Sequence, residues 1–146
     1  MIAAIVNRAA GSGAAGRRWP AAERLLAERA GAVRTYYTKG PGHATELARE
    51  LADAALIVVV GGDGTLNEVV NGGARRMAVL PLGSGGDFAR TIGTRTVESA
   101  VDAIAGGRWR RVDVWRAAFA GGSRLFLNAA GFGMAGEVAR EASRWR

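Results

Sequence analysis

The sequence predicts an α/β fold, in which a parallel sheet carries helices on both faces, followed by the start of a β-rich unit. Two observations carry this. Short apolar runs alternate with segments of helical period from residue 2 to residue 105, and several of the runs open directly into loops of small residues. Strands alternating with helices imply parallel pairing through crossovers that cover the sheet. Composition agrees: 49% hydrophobic and 23% charged residues is the balance of a folded globular chain long enough for one core. Alanine and glycine fill 52 of the 146 positions, so large apolar side chains are scarce and packing must rest on Val, Leu and Ile.

Taken in order, Ile2–Val6 is a short apolar strand that ends at Asn7 and a loop of small residues through Gly13. Ala22, Leu25 and Leu26 recur at helical spacing and predict a helix over 17–29, stopped by Gly31. Ala32 to Thr38 has strand composition, and a helix is expected over 44–52. Leu56-Ile57-Val58-Val59-Val60 is the strongest strand, apolar throughout as expected when both faces are covered. Gly61-Gly62-Asp63-Gly64 turns the chain into a helix with the stripe Leu66, Val69, Val70, closed by Gly72-Gly73. Met77–Leu80 is a strand broken by Pro81, and helices follow near 87–92 and 97–105. Beyond residue 110 the pattern changes to period two: Arg111–Arg116 and Leu125–Asn128 read as a hairpin about Gly121-Gly122. Domains are therefore expected at 1–110 and 111–146, the second being the beginning of a β-rich unit that is cut short.

Several chemistries are excluded. Without cysteine there are no disulfides, zinc thiolates or cysteine nucleophiles, and the single histidine, His43, cannot build a multi-histidine metal site. The longest apolar run, Ala54–Val60, is far short of the ~20 residues that span a bilayer. The N-terminus has no charged leader before a long apolar stretch, which favours a cytoplasmic protein. The net charge of +7 is concentrated from Arg108 onward, where eight arginines face three acidic residues. Such a patch suits anionic partners in general; nucleic acid is disfavoured because no aromatic stacking platform interleaves the arginines.

The chemistry is expected at Val60–Glu68, where the strongest strand delivers a glycine turn into the next helix. Ligands of parallel sheets bind beyond the carboxyl ends of the strands. Gly61, Gly62 and Gly64 let backbone N–H groups approach a phosphate, and the helix that follows adds its own unpaired N–H groups. Asp63 beside phosphates reads as a magnesium contact or a hydroxyl-orienting base, with helix capping as the alternative. Asn7, Thr38, Gly83 and Ser84 fall on the same sheet edge, and Asp87 reads first as the cap of its own helix. His43 reads as local structure. Neither the Walker A pattern nor the dinucleotide fingerprint Gly-x-Gly-x-x-Gly is present.

Gly61-Gly62-Asp63-Gly64-Thr65-Leu66-Asn67-Glu68-Val69-Val70-Asn71-Gly72, followed by Leu80-Pro81-Leu82-Gly83-Ser84-Gly85-Gly86-Asp87-Phe88-Ala89-Arg90, resembles the catalytic domain of the diacylglycerol kinase and sphingosine kinase family, in particular bacterial lipid kinases. The Asn7 loop and Thr38–Ala44 fall where that family places them. The resemblance implies an NAD kinase/diacylglycerol kinase-like fold with a β-sandwich second domain. It also implies ATP-dependent phosphorylation of a lipid hydroxyl with magnesium, the lipid being met at a membrane surface by a cytoplasmic, peripheral enzyme, with homodimer formation left open. By position, Asn7, Thr38, Gly61, Gly62, Asp63, Gly64, Thr65, Leu66, Asn67, Gly83 and Ser84 would serve the nucleotide, and Asp63 both the metal and catalysis. The general base is expected in the β-sandwich part. Two departures stand out: Arg8 replaces the family's proline and should loosen or recharge its loop, and Gly86 replaces an asparagine. An NAD kinase-like enzyme, which shares Gly-Gly-Asp-Gly-Thr, and a non-catalytic nucleotide-binding domain are the alternatives.

Overall fold

The computed structural model describes residues 1–83 and 86–128. Strand β1 (Ile2–Val6) leads to helix α1 (Ala14–Ala30), β2 (Val33–Tyr37), α2 (His43–Glu50), β3 (Leu56–Gly61), α3 (Asp63–Asn71) and β4 (Met77–Pro81). Helices α4 (Asp87–Thr91) and α5 (Val97–Ala105) follow, then β5 (Trp115–Phe119) and β6 (Gly122–Phe126). The first four strands form a parallel sheet in the order β2-β1-β3-β4.

Each strand's alternating side chains feed two separate cores. Ala3, Ile5, Ile57, Val59 and Val79 pack with Leu47 of α2, Leu66, Val69 and Val70 of α3, and Phe88 of α4. Ala4, Val6, Val58, Val60 and Leu80 pack with Trp19 and Leu26 of α1 and Val101 of α5. The sheet is thus the middle of three layers, and β3 is buried along its whole length, as its unbroken apolar run predicts. An ion pair from Arg29 to Asp102 joins α1 to α5 on the outer surface, and Thr96 with Ser99 makes a capping box at the start of α5.

Several boundaries differ from expectation for identifiable reasons. Helix α1 begins three residues earlier than residue 17, because Gly13 at φ 83° turns the chain into it and Ala14 and Ala15 extend the apolar face. Pro81 ends β4 rather than breaking it; β4 is an edge strand among the described residues, where a missing N–H is tolerated. The hairpin is real but shifted. Its first strand is β5, not 111–116, because pairing is set by the two-residue turn Ala120-Gly121, which places Phe119 opposite Gly122 and Trp115 opposite Phe126. Residues 111–114 instead line a groove of about 890 Å³ beside β4.

Trp19 is 1% exposed, and its Nε1–H has no acceptor among the described residues. Its contribution is therefore ring packing offset by one orphaned donor. Replacing Trp19 with Ala should cost about 3–5 kcal/mol in urea unfolding. Trp19→Phe, which keeps most of the ring and removes the donor, should cost only about 1 kcal/mol.

Candidate nucleotide site

The registers bring the sequence-predicted loops to one edge. Val6 lies beside both Tyr37 and Val60, and Gly61 lies beside Pro81. The ladder continues one step past the strands, since the Asn7 N–H donates to Val60 O and the Thr38 N–H to Val6 O, both at 2.9 Å. Between β1 and β3 the chain order reverses, which is where a parallel sheet opens a crevice. There lies a cleft of about 1120 Å³, lined by Asn7–Ser12, Thr38–Pro41, Gly62–Thr65, Ala44 and Glu68.

The first turn of α3 forms one wall. Helix geometry leaves the amides of Asp63, Gly64 and Thr65 without intrahelical acceptors; the first intrahelical bond runs from Leu66 N–H to Gly62 O at 3.1 Å. Gly64 is exposed, and a Cβ built on it meets no atom within 4 Å. The fold therefore does not demand glycine there, whereas a ligand drawn close to the helix terminus would. Thr65 is 6% exposed and its Oγ1 accepts from Asn7 Nδ2 at 3.0 Å. Asn7 is itself fixed, its Oδ1 accepting from the Ala9 N–H at 3.1 Å. With one lone pair of Thr65 Oγ1 engaged, its O–H, which has no side-chain hydrogen bond of its own among the described residues, remains a donor at the wall of the cleft.

Asp63 lines the cleft and also caps a neighbouring helix. Its carboxylate oxygens accept the N–H groups of Asp87 and Phe88 at 3.2 and 3.3 Å, capping α4 from across the loop. The expectation that Asp87 caps its own helix is corrected: Asp87 is the first helical residue, pairs with Arg90, and Gly86 before it offers no side chain. Glu68 plays the same part for α2, its Oε2 accepting the Ala44 N–H at 3.2 Å while Thr45 Oγ1 donates to Glu68 O at 2.9 Å. Neither α2 nor α4 has a side-chain cap of its own. The two loops are also pressed together: a Cβ on Gly83 would lie 2.7 Å from Gly62 N and 2.8 Å from Gly61 C.

Of the residues expected at the nucleotide, Asn7, Thr38, Gly62, Asp63, Gly64 and Thr65 line the cleft. Gly61 and Gly83 back it. Leu66 and Asn67 are turned away by the helical rotation: Leu66 is 1% exposed in the core, and Asn67 Oδ1 accepts the Leu127 N–H at 3.2 Å. Ser84 lies outside the described residues. His43 is local structure, its Nδ1 accepting the Lys39 N–H at 3.0 Å. Arg8 recharges its loop and is held there, with its guanidinium 3.7 Å above the Tyr37 ring. Glu68 and Asn71 were missed by sequence reasoning; their signal was the polar positions between apolar ones within 63–71.

A doubly covered parallel sheet with a cleft and an open helix terminus at its switch point defines a layered α/β domain of the kind in which ligands sit at that edge. Comparison with known proteins makes this specific. The diacylglycerol kinase catalytic domain family matches residues 1–117, and the chain belongs to that family. It is 40% identical over 116 residues to a diacylglycerol kinase of Staphylococcus carnosus, covering 74% of this chain and 37% of that protein. A diacylglycerol kinase of Staphylococcus saprophyticus is 38% identical over 114 residues, or 73% of this chain and 36% of the relative. A crystal structure of a diacylglycerol kinase from Bacillus anthracis superposes with a TM-score of 0.68 at 33% identity, over 77% of this chain and 44% of that one. The chain thus spans about a third of the length of the curated relatives it matches.

Two substitutions separate fold from ligand at this terminus. Asp63→Ala should lower stability by about 1–2 kcal/mol through the lost α4 cap, measured by urea unfolding. Gly64→Ala should leave stability unchanged or raise it by up to about 1 kcal/mol, because alanine is the better helix former and its methyl meets open space.

Proposed function

We propose that this chain is the nucleotide-binding half of an ATP-dependent lipid kinase that transfers a phosphoryl group to a lipid hydroxyl. The single observation that supports it most is the first turn of α3: three backbone donors, an open face at Gly64 and a Thr65 hydroxyl oriented by Asn7. These are the groups that receive terminal phosphates, and family membership supplies the reaction class. In this reading Asp63–Thr65 cradle the phosphates, Thr38 and Lys39 line the opposite wall, and Arg8 adds a fixed positive charge. The proposed boundaries are 1–110 for the nucleotide domain and 111–146 for the start of the β-sandwich that meets the lipid.

Magnesium fits the residues present. Among the described residues no three acidic or histidine groups cluster as an all-protein cage, and magnesium bound with nucleotides takes one or two carboxylates, phosphate oxygens and water. Asp63 has spare lone pairs beyond the two amides it caps, and would hold the ion directly or through water. When bound, the ion neutralises charge on the transferring phosphoryl group. The acidic general base is assigned to the β-sandwich part. No described helix is long and apolar enough to cross a membrane; the lipid is proposed to be met at the membrane surface by a peripheral, cytoplasmic enzyme.

Calorimetric titration tests this. The 146-residue chain should take up Mg-ATP without measurable phosphate transfer, whereas a full-length protein containing it should phosphorylate diacylglycerol and leave NAD unmodified. Thr65→Val should weaken Mg-ATP by about tenfold, the worth of a hydrogen bond to a charged group. Gly64→Ala should weaken it with no loss of fold. Absence of binding in both proteins sinks the reading.

A further inference from the structure

Asp63, Asn67 and Asn71 recur every four residues and so share one face of α3. All three spend their side chains on backbone groups of later segments. Asp63 takes the amides of Asp87 and Phe88. Asn67 Oδ1 accepts the Leu127 N–H at 3.2 Å. Asn71 holds both sides of Leu125: its Oδ1 accepts the Leu125 N–H at 2.9 Å and its Nδ2 donates to Leu125 O at 2.8 Å. Asn71 Nδ2 also donates to Asn67 O at 2.7 Å, which fixes its rotamer against the preceding turn.

This spacing has a metric reason. Four residues of helix rise about 6.0 Å, and two residues of strand rise about 6.6–6.8 Å. Asparagines four apart therefore meet alternate residues of an extended chain, and α3 offers β6 the pairing that a neighbouring strand would. The opposite edge of β6 is paired with β5, and Leu125 and Leu127 drop into the core shared with Leu66, Val69 and Val70. Since Leu127 meets Asn67 and Leu125 meets Asn71, β6 runs antiparallel to α3 with its carboxyl end toward Asp63.

We propose that Asn67 and Asn71 are positioning residues, seating the β5–β6 hairpin on the helix whose first turn takes the nucleotide, so that nucleotide binding and hairpin seating are coupled. The inference rests on the nucleotide reading above. Coupling of this kind is reciprocal: whatever the hairpin contributes to the pose of α3, the nucleotide returns to the hairpin.

Amide hydrogen exchange and calorimetry with Mg-ATP on the 146-residue chain test it. Mg-ATP should slow exchange at Leu125 and Leu127. Asn71→Ala should release both amides and weaken Mg-ATP about fivefold or more. The two asparagines should respond differently to aspartate. Asn67→Asp keeps the side-chain oxygen that holds Leu127 and should preserve Leu127 protection, where Asn67→Ala loses it. Asn71→Asp turns an oxygen against Leu125 O and should behave like Asn71→Ala. If Asn71→Ala does not fold, the Asn67 pair, which alters one bond to the hairpin, carries the same comparison. Released amides with unchanged Mg-ATP affinity would overturn the coupling alone. Protected amides with affinity lost equally in Asn67→Ala and Asn67→Asp would overturn it by making Asn67 a direct ligand. A wild-type chain that takes up no Mg-ATP would overturn the kinase reading and, with it, the coupling.

Discussion

The cleft end of this molecule depends on one helix giving its polar side chains to other segments' backbones. Asp63 closes the start of α4, Glu68 the start of α2, and Asn71 stands in for a strand beside β6. Helix termini leave amides that must be satisfied somewhere, and here α2 and α4 are satisfied from α3. Remove α3 from its seat and both neighbouring helices lose their first-turn partners, while the hairpin loses its docking edge. Its apolar stripe, Leu66, Val69 and Val70, sets that seat against the central strands.

This arrangement explains how a short helix with three glycines at its start can form a rigid wall. Its own propensity is modest, and tertiary packing supplies most of what holds such a helix. Thr65, nearly buried and bonded to Asn7, ties it to the end of β1 across the switch point. The donors of the first turn are consequently held in place by the fold itself, and a ligand proposed to meet them there would lose little in ordering them.

Much of the fold was legible because the relevant signals are local. The unbroken apolar run of β3, the stripe of α3 and the glycines after each strand place their elements without tertiary information, and chain order then dictates a parallel sheet. Asn7, Thr38 and Asp63 could be placed beside the cleft for the same reason: each follows a strand, so each falls on the carboxyl edge. What escaped was direction. The turn was expected to run through Gly64 and the residues to Asn67 to reach a nucleotide, but the helix begins at Asp63 and its rotation sends Asn67 to the hairpin, while Leu66 takes the core place its apolar stripe implies. Asp87 misled similarly, since a helix can be capped by a residue 24 positions away, and no local pattern announces that. The hairpin strands shifted because turn register, rather than alternation, decides which residues pair.

Gly83 carries a consequence for the history of the sequence. The backbones of the two loops touch at a place where a Cβ would sit inside Gly61 and Gly62. Every amino acid except glycine has that atom, so conservative exchange is not available at this position. Gly83 can be exchanged only if both loops move together. The contact therefore acts as a ratchet on drift, holding the spacing of the two loops behind the cleft.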